Sequence, residues 1–285
     1  MTRPVLFVAA FAACASAGGG TGSAPTASPG PYAPARSPTD AVRYGPSALR
    51  YVVHRRLHIQ QAIGEQVQSQ DVGARIFVAV TMIGPADHVG YLTTFNVDSI
   101  VADSGTPQPV VDNLVKARRL VFTGRMAPRG EFVNATPSDS SLAQSVVQLL
   151  GNFRDFLPRL PAAGVKSGLA WTDTVETTQR GSGSEVSRRS VVLASAAAWE
   201  EHVGIQSLRI ESTQTYRVAG SGKNAGQPFD LSGAGTGSGT AFIAADGRYL
   251  GGESRDSTTF TIRLPVQGVA VPVVQVTRTT VAVLP

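Results

Sequence analysis

The sequence predicts a mainly β, α+β protein: one large curved antiparallel sheet, half-barrel or barrel-like, with a single amphipathic helix packed on its concave face. Three observations predict it. Apolar and polar residues alternate with period two along most of the chain after Tyr51, the pattern of strands with one solvated face, and so of antiparallel rather than parallel sheet. About ten such runs stand between turn signals, and a twisted sheet of that size curls. The stretch 139–157 carries apolar residues at spacings of three and four instead, the stripe of a helix that covers part of an apolar sheet face.

The chain opens with Arg3 followed by an apolar run, Val5 to Ala13. That is the charge and length of a secretory leader, and it is too short for a permanent span, which needs about 20 residues. The run ends in Phe11-Ala12-Ala13-Cys14. This resembles a bacterial lipobox, with Phe11 where that family usually has Leu. The resemblance implies removal of residues 1–13 and acylation of Cys14, the single cysteine of the chain. The alternative is cleavage after Ala15-Ser16-Ala17, which gives a secreted product. Residues 14–46, rich in Gly, Pro, Ser and Ala, cannot bury enough surface to offset their ordering entropy and read as a disordered tether. Such a tether reaches roughly 30 Å by the flexible-chain rule. Residues 47–285 then form one β-rich domain.

Within that domain Tyr51, Val53, Arg55, Leu57 and Ile59 share one largely apolar face, while Val52, His54, Arg56, His58 and Gln60 share the other, polar one. Ile76, Val78, Val80 and Met82 form the next apolar face. Gly84-Pro85-Ala86-Asp87 breaks the run, and Tyr91, Thr93, Phe95 and Val97 resume it, which predicts a hairpin. The C-terminal half repeats the pattern in Leu208, Ile210, Tyr216 and Val218, and in Thr258, Phe260, Ile262 and Leu264. Asp246-Gly247 predicts a two-residue turn with positive φ at both centres. The helix is expected to start at a cap among Ser138 to Ser141 and to stop at Pro158.

After the helix come Phe156-Leu157-Pro158-Arg159-Leu160-Pro161 and then Gly168-Leu169-Ala170-Trp171-Thr172-Asp173. The prolines force an extended crossing, and Trp171 anchors the strand that follows. Here the chain resembles a group of uncharacterised bacterial lipoproteins of β-rich build, with a Phe-x-Pro-x-x-Pro element before a Gly-x-x-Trp-x-Asp strand, over about Arg50 to Pro285. The architecture is also similar, at the level of fold alone, to the curved-sheet lipid carriers of bacterial envelopes. That likeness implies acyl chains held between a half-barrel and a helix.

Composition narrows the chemistry. The chain has 285 residues, 16% of them charged, and a net charge of +5. Its basic residues are scattered without interleaved aromatics, so nucleic acid is not an expected partner. One cysteine excludes an internal disulfide framework. His54 and His58 on a strand stand about 13 Å apart, too far to grip one ion, so no metal is expected. Gly220 to Asn224 lacks the first glycine and the Ser/Thr of a phosphate loop. Gly233 to Gly239 lacks the spacing of a dinucleotide fingerprint and reads as a flexible or bulged strand. Both common serine-nucleophile signatures are absent. Asp173 and Glu176 lie on opposite strand faces, and Glu200-Glu201-His202 reads as a charged connection.

The expectation is therefore a non-enzymatic envelope protein, lipid-anchored through Cys14 and facing the periplasm. No cofactor is expected. Its partners would be the membrane, an apolar or amphiphilic ligand, or an envelope protein. The expected ligand site lies between the helix and the inner strand faces, lined by Phe95, Leu149, Phe153, Phe156, Trp171, Phe260 and Ile262. One rival reading is a structural or assembly lipoprotein with a filled core. Another is a hydrolase whose histidine, carboxylate and serine converge only in three dimensions.

Overall fold

The computed structural model describes residues 41–84, 87–150, 153–181, 183–224 and 226–285, without the side chains of 145, 147–150, 180, 181 and 224. Alternating burial organises these residues into β1 (Ser47–Ile63), β2 (Gln66–Ile83), β3 (Tyr91–Ala102), β4 (Val121–Met126) and β5 (Phe132–Pro137), then β6 (Ala170–Gly181), β7 (Ser184–His202), β8 (Ile205–Asn224), β9 (Gln227–Ala244), β10 (Tyr249–Leu264) and β11 (Val269–Leu284). Two helices interrupt them, α1 (Gln108–Lys116) and α2 (Ser140–Leu150). The strands form one open sheet of 11, ordered β5-β4-β3-β2-β1-β11-β10-β9-β8-β7-β6. Every described pairing is antiparallel.

The predicted large antiparallel sheet is thus present, and it is not closed. β1 pairs with β2 on one side and β11 on the other, Leu57 facing Val72 and Thr277, which joins the two ends of the meander. The remaining edges are β5 and β6. Residues 153–169 run between those two strands, the Arg154 carbonyl accepting from Phe132 N–H and the Arg159 carbonyl from the Trp171 indole. The outer face carries Arg56, Arg75, Arg189, Glu211, Arg217 and Arg255, all exposed, unlike the apolar outward band of a strand-built membrane span.

One end of the concave side is packed solid. Phe95, fully buried, stacks on Phe153 at 4.6 Å and meets Phe132 at 4.8 Å and Phe156 edge-on at 5.3 Å. Tyr51 and Tyr249 close on Phe156 at 5.2 and 5.7 Å. Each such pair contributes about 0.5–1.5 kcal/mol beyond its buried area. Burial raises the hydroxyl pKa of both tyrosines.

Several expectations need correction. There are two α-helices and one 3-10 turn, Pro265–Gln267, among the described residues, not one helix, and α2 ends at Leu150 rather than 157. Phe153 has φ +56°, which no right-handed helix contains. The three-and-four spacing continues past Leu150 because Phe153, Phe156 and Leu157 are drawn to the same core by an irregular backbone. The core also begins before Ser47, inside the stretch read as tether. Val42 exchanges two backbone hydrogen bonds with Val165, at 2.8 and 2.9 Å, and the buried Tyr44 donates its hydroxyl to the Pro158 carbonyl at 2.6 Å.

At Asp246-Gly247 only Gly247 takes positive φ. The loop is longer than two residues, closed by Ala244 N–H to Arg248 O and Gly247 N–H to Ala244 O. A side chain at Gly247 would strike the Arg43 carbonyl. Glu200 to His202 end β7 instead of forming a connection, and residues 233–239 are regular β9, neither flexible loop nor bulge.

Candidate binding cleft

Glycine every second residue on the inner face of β9 makes the site. Gly235 pairs with Tyr216 of β8 and Gly237 with Gln214. A side chain on Gly235 would collide with the Tyr216 ring, and one on Gly237 with the Asp256 carboxylate of β10. β9 therefore leaves room for side chains from both neighbours to meet across it. The Tyr216 hydroxyl lies 2.6 Å from Thr258 Oγ1, and Gln214 Nε2 donates to Asp256 Oδ1 at 2.6 Å.

Arg188 of β7 completes this polar floor. Its guanidinium sits 3.6 Å over the Tyr216 ring and 3.8 Å from Asp256 Oδ1. Its Nε donates to Ser190 Oγ at 3.0 Å and its Nη2 to Gln214 Oε1 at 3.1 Å. Arg188 is 6% exposed and Asp256 1%. Burial pushes the Asp256 carboxyl up to about 6, against the pull of Arg188 and of Arg55. Its Oδ2 accepts no hydrogen bond. Among the described residues the buried charged side chains are Arg55, Arg188 and Asp256.

Above this floor lies a half-open cleft, whose enclosed part is about 80 Å³. Its walls are Trp171, Val175, Val192, Ala194 and Ile210, and Leu157 to Arg159 roof it. A smaller hollow of about 30 Å³ lies on the other side of Arg188, against Val186, Leu231 and Phe260. The roof is fastened across the gap between β5 and β6. Arg159 meets Glu131 and Asp155 at 3.0 Å each and Asp173 at 3.8 Å. Arg154 adds a bond to Glu131 at 2.9 Å and Arg129 one to Asp173 at 3.1 Å. The Trp171 indole N–H donates to the Arg159 carbonyl at 3.2 Å. Burial pushes Glu131 up, but Arg154 and Arg159 outweigh it and hold its carboxyl below the ordinary value.

Comparison with known proteins adds little. No family model matches the chain, and no curated protein does either. Among solved structures it is similar to Neisserial surface protein A, at 9% identity and TM-score 0.21, over 83% of this chain and 98% of that one. It is also similar to OccK2 of Pseudomonas aeruginosa, at 10% identity and TM-score 0.29, over 84% and 98%. Likeness at these TM-scores supports no argument about role.

The structure separates the expected site residues. Phe95, Phe153 and Phe156 come together, but in the solid aromatic cluster. Trp171 lines the open cleft and Phe260 the smaller hollow, while Ile262 is buried core. The Leu149 side chain and Cys14 lie outside what is described. Arg188, Gln214 and Asp256 escaped the sequence reading, and Tyr216 was legible only as a face residue of its strand, although Gly233, Gly235, Gly237 and Gly239 alternate with the period of a strand.

The histidines stand elsewhere. On the outer face His54 Nε2 is 2.8 Å from Asp103, and His58 Nδ1 is 2.9 Å from Asp71. The His202 ring stacks on Phe242 at 3.8 Å. Among the described residues none of these three has a serine hydroxyl partner, and no group of three metal-ligating side chains occurs.

Proposed function

We propose that this protein is a non-enzymatic binding domain, tethered in the bacterial envelope through Cys14, that receives an amphiphilic molecule in the cleft beneath residues 157–159. The observation that supports this reading is the cleft's composition. Its walls are mostly apolar, and they end on a buried arginine instead of on more hydrocarbon. Ligand sites combine apolar lining with a few fixed polar groups in this way. The roof consists of irregular chain in which Leu157 packs into the core and Arg159 is held by ion pairs.

Volume favours a second reading. The enclosed part, about 80 Å³, is well under the 300–1,000 Å³ of ordinary ligand sites. A structural lipoprotein with a filled core would have such a hollow. The binding reading therefore requires the roof at residues 157–159 to move outward with the ligand.

Native mass spectrometry of the protein extracted from its host envelope distinguishes the two. A co-purifying lipid or similar amphiphile, and uptake of an apolar dye, are expected. An unliganded mass together with no dye uptake contradicts the binding reading and leaves the structural one.

A further inference from the structure

One edge of the open sheet is guarded and the other is not. β5 is 6 residues long, slips register against β4 between Thr123 and Arg125, and ends in Pro137. Asn134 within it has φ +54°, and its Phe132 N–H is taken by the Arg154 carbonyl. Short length, proline, irregular backbone and cover are the means by which proteins keep an edge from pairing. β6 runs instead for 12 residues in unbroken register with β7, without proline or lysine. The roof is fastened to its first residues, at Trp171 and Asp173. Among the described residues no backbone hydrogen bond joins 174–181 to anything but β7.

Thr174 N–H donates to the Asp173 carboxylate at 3.0 Å. Main-chain groups alternate sides along an antiparallel strand, so Glu176, Thr178 and Arg180 present theirs to the same free edge. We propose that β6 pairs antiparallel with β6 of a second copy over residues 175–181, with Thr178 facing Thr178 on the two-fold axis and Glu176 facing Arg180. Charge selects both the occupant and the register. Within one chain Glu176 stands opposite Arg189, at 3.3 Å, and Arg180 stands opposite Glu185. The proposed register joins these pairs into one row across four strands: Arg189, Glu176, then Arg180 and Glu185 of the second copy, alternating in sign throughout. The axis generates that row twice, and an isologous contact of this kind closes at two copies. A register with Glu176 on the axis would set two carboxylates directly opposite, which destabilises. A single ladder is small beside the roughly 1,200–2,000 Å² of a stable interface, so the dimer is weak and reversible. The pairing goes beyond the binding reading and does not depend on what the cleft holds.

The test is sedimentation equilibrium of the full mature chain carrying Cys14→Ser, so that neither acyl groups nor a disulfide joins the copies, from about 1 to about 100 μM, the span of weak association. The average mass is expected to climb with concentration from that of one chain towards that of two. Thr178→Lys sets two ammonium groups against each other on the axis and should weaken association at least tenfold. Glu176→Lys and Arg180→Glu should each do the same alone. An equimolar mixture of those two variants should restore the dimer, because both facing pairs are then of opposite sign, an outcome that damage to the fold would not produce. A single-chain mass throughout the unsubstituted series overturns the proposal and leaves this edge to another protein's extended segment. A dimer indifferent to all three substitutions overturns it too, by placing the contact on a different surface. Failure of the mixture to exceed either variant alone overturns the register.

Discussion

Replacing Arg159 with methionine removes the cation on which the roof converges. Its guanidinium serves Glu131, Asp155 and Asp173, and its side chain is 16% exposed. Burial works against its charge, yet the three carboxylates outweigh that and raise its pKa. Breaking a fully buried pair costs about 3–5 kcal/mol because the partner is left uncompensated. Here the carboxylates keep partial solvent access, and Arg154 and Arg129 still serve two of them, so screening reduces the figure to about 2 kcal/mol. Urea unfolding reads it directly as a lower midpoint at unchanged slope. Arg50→Met is the control. That side chain is 62% exposed and pairs with Asp98 at the surface, so its loss should stay within about 0.5 kcal/mol. Equal losses in the two variants would refute the claim that these ion pairs fasten the roof.

Three further outcomes follow from the same geometry. Asp256 binds its proton more tightly folded than unfolded, about 6 against 3.8, so its contribution to stability is full below about pH 4 and is lost as pH rises through 6. The loss is about 3 kcal/mol, and a urea-midpoint profile of Asp256→Asn against the unsubstituted protein should isolate it as a pH-dependent difference over that window. Gly237→Val drives a side chain into Asp256 and Gln214 and should cost about 1–3 kcal/mol in the same assay, while the outward Ser238→Val should stay within about 0.5 kcal/mol. Mass spectrometry of the envelope-extracted protein should find residue 14 at the N-terminus with added acyl mass, and Cys14→Ala should abolish that species.

The sheet was legible because its outer face is solvated, so each strand announced its inner residues by alternation. Tyr51 to Ile59 and Ile76 to Met82 follow that rule closely. The helix boundary was not legible, because Phe153 and Phe156 satisfy the same core as a continued helix would, through a backbone that periodicity cannot detect. α1 is only nine residues long and too short for a stripe to stand out. The tether was assigned too many residues, since Val42 and Tyr44 look isolated in sequence and find Val165 and Pro158 only through the fold. The floor was hidden for the same reason. Arg188, Gln214 and Asp256 are far apart along the chain, and strand register alone brings them together over Gly237. The glycine alternation was visible, but its meaning depends on which neighbours lean across it.

The most direct measurement places the ligand. The chain has two tryptophans, so Trp199→Phe leaves Trp171, whose ring lines the cleft, as the lone indole reporter. A brominated alkyl carboxylate, titrated in the range where it binds, should quench Trp171 saturably, with the same midpoint as dye displacement. Binding with Trp171 unquenched would put the ligand elsewhere and contradict the account.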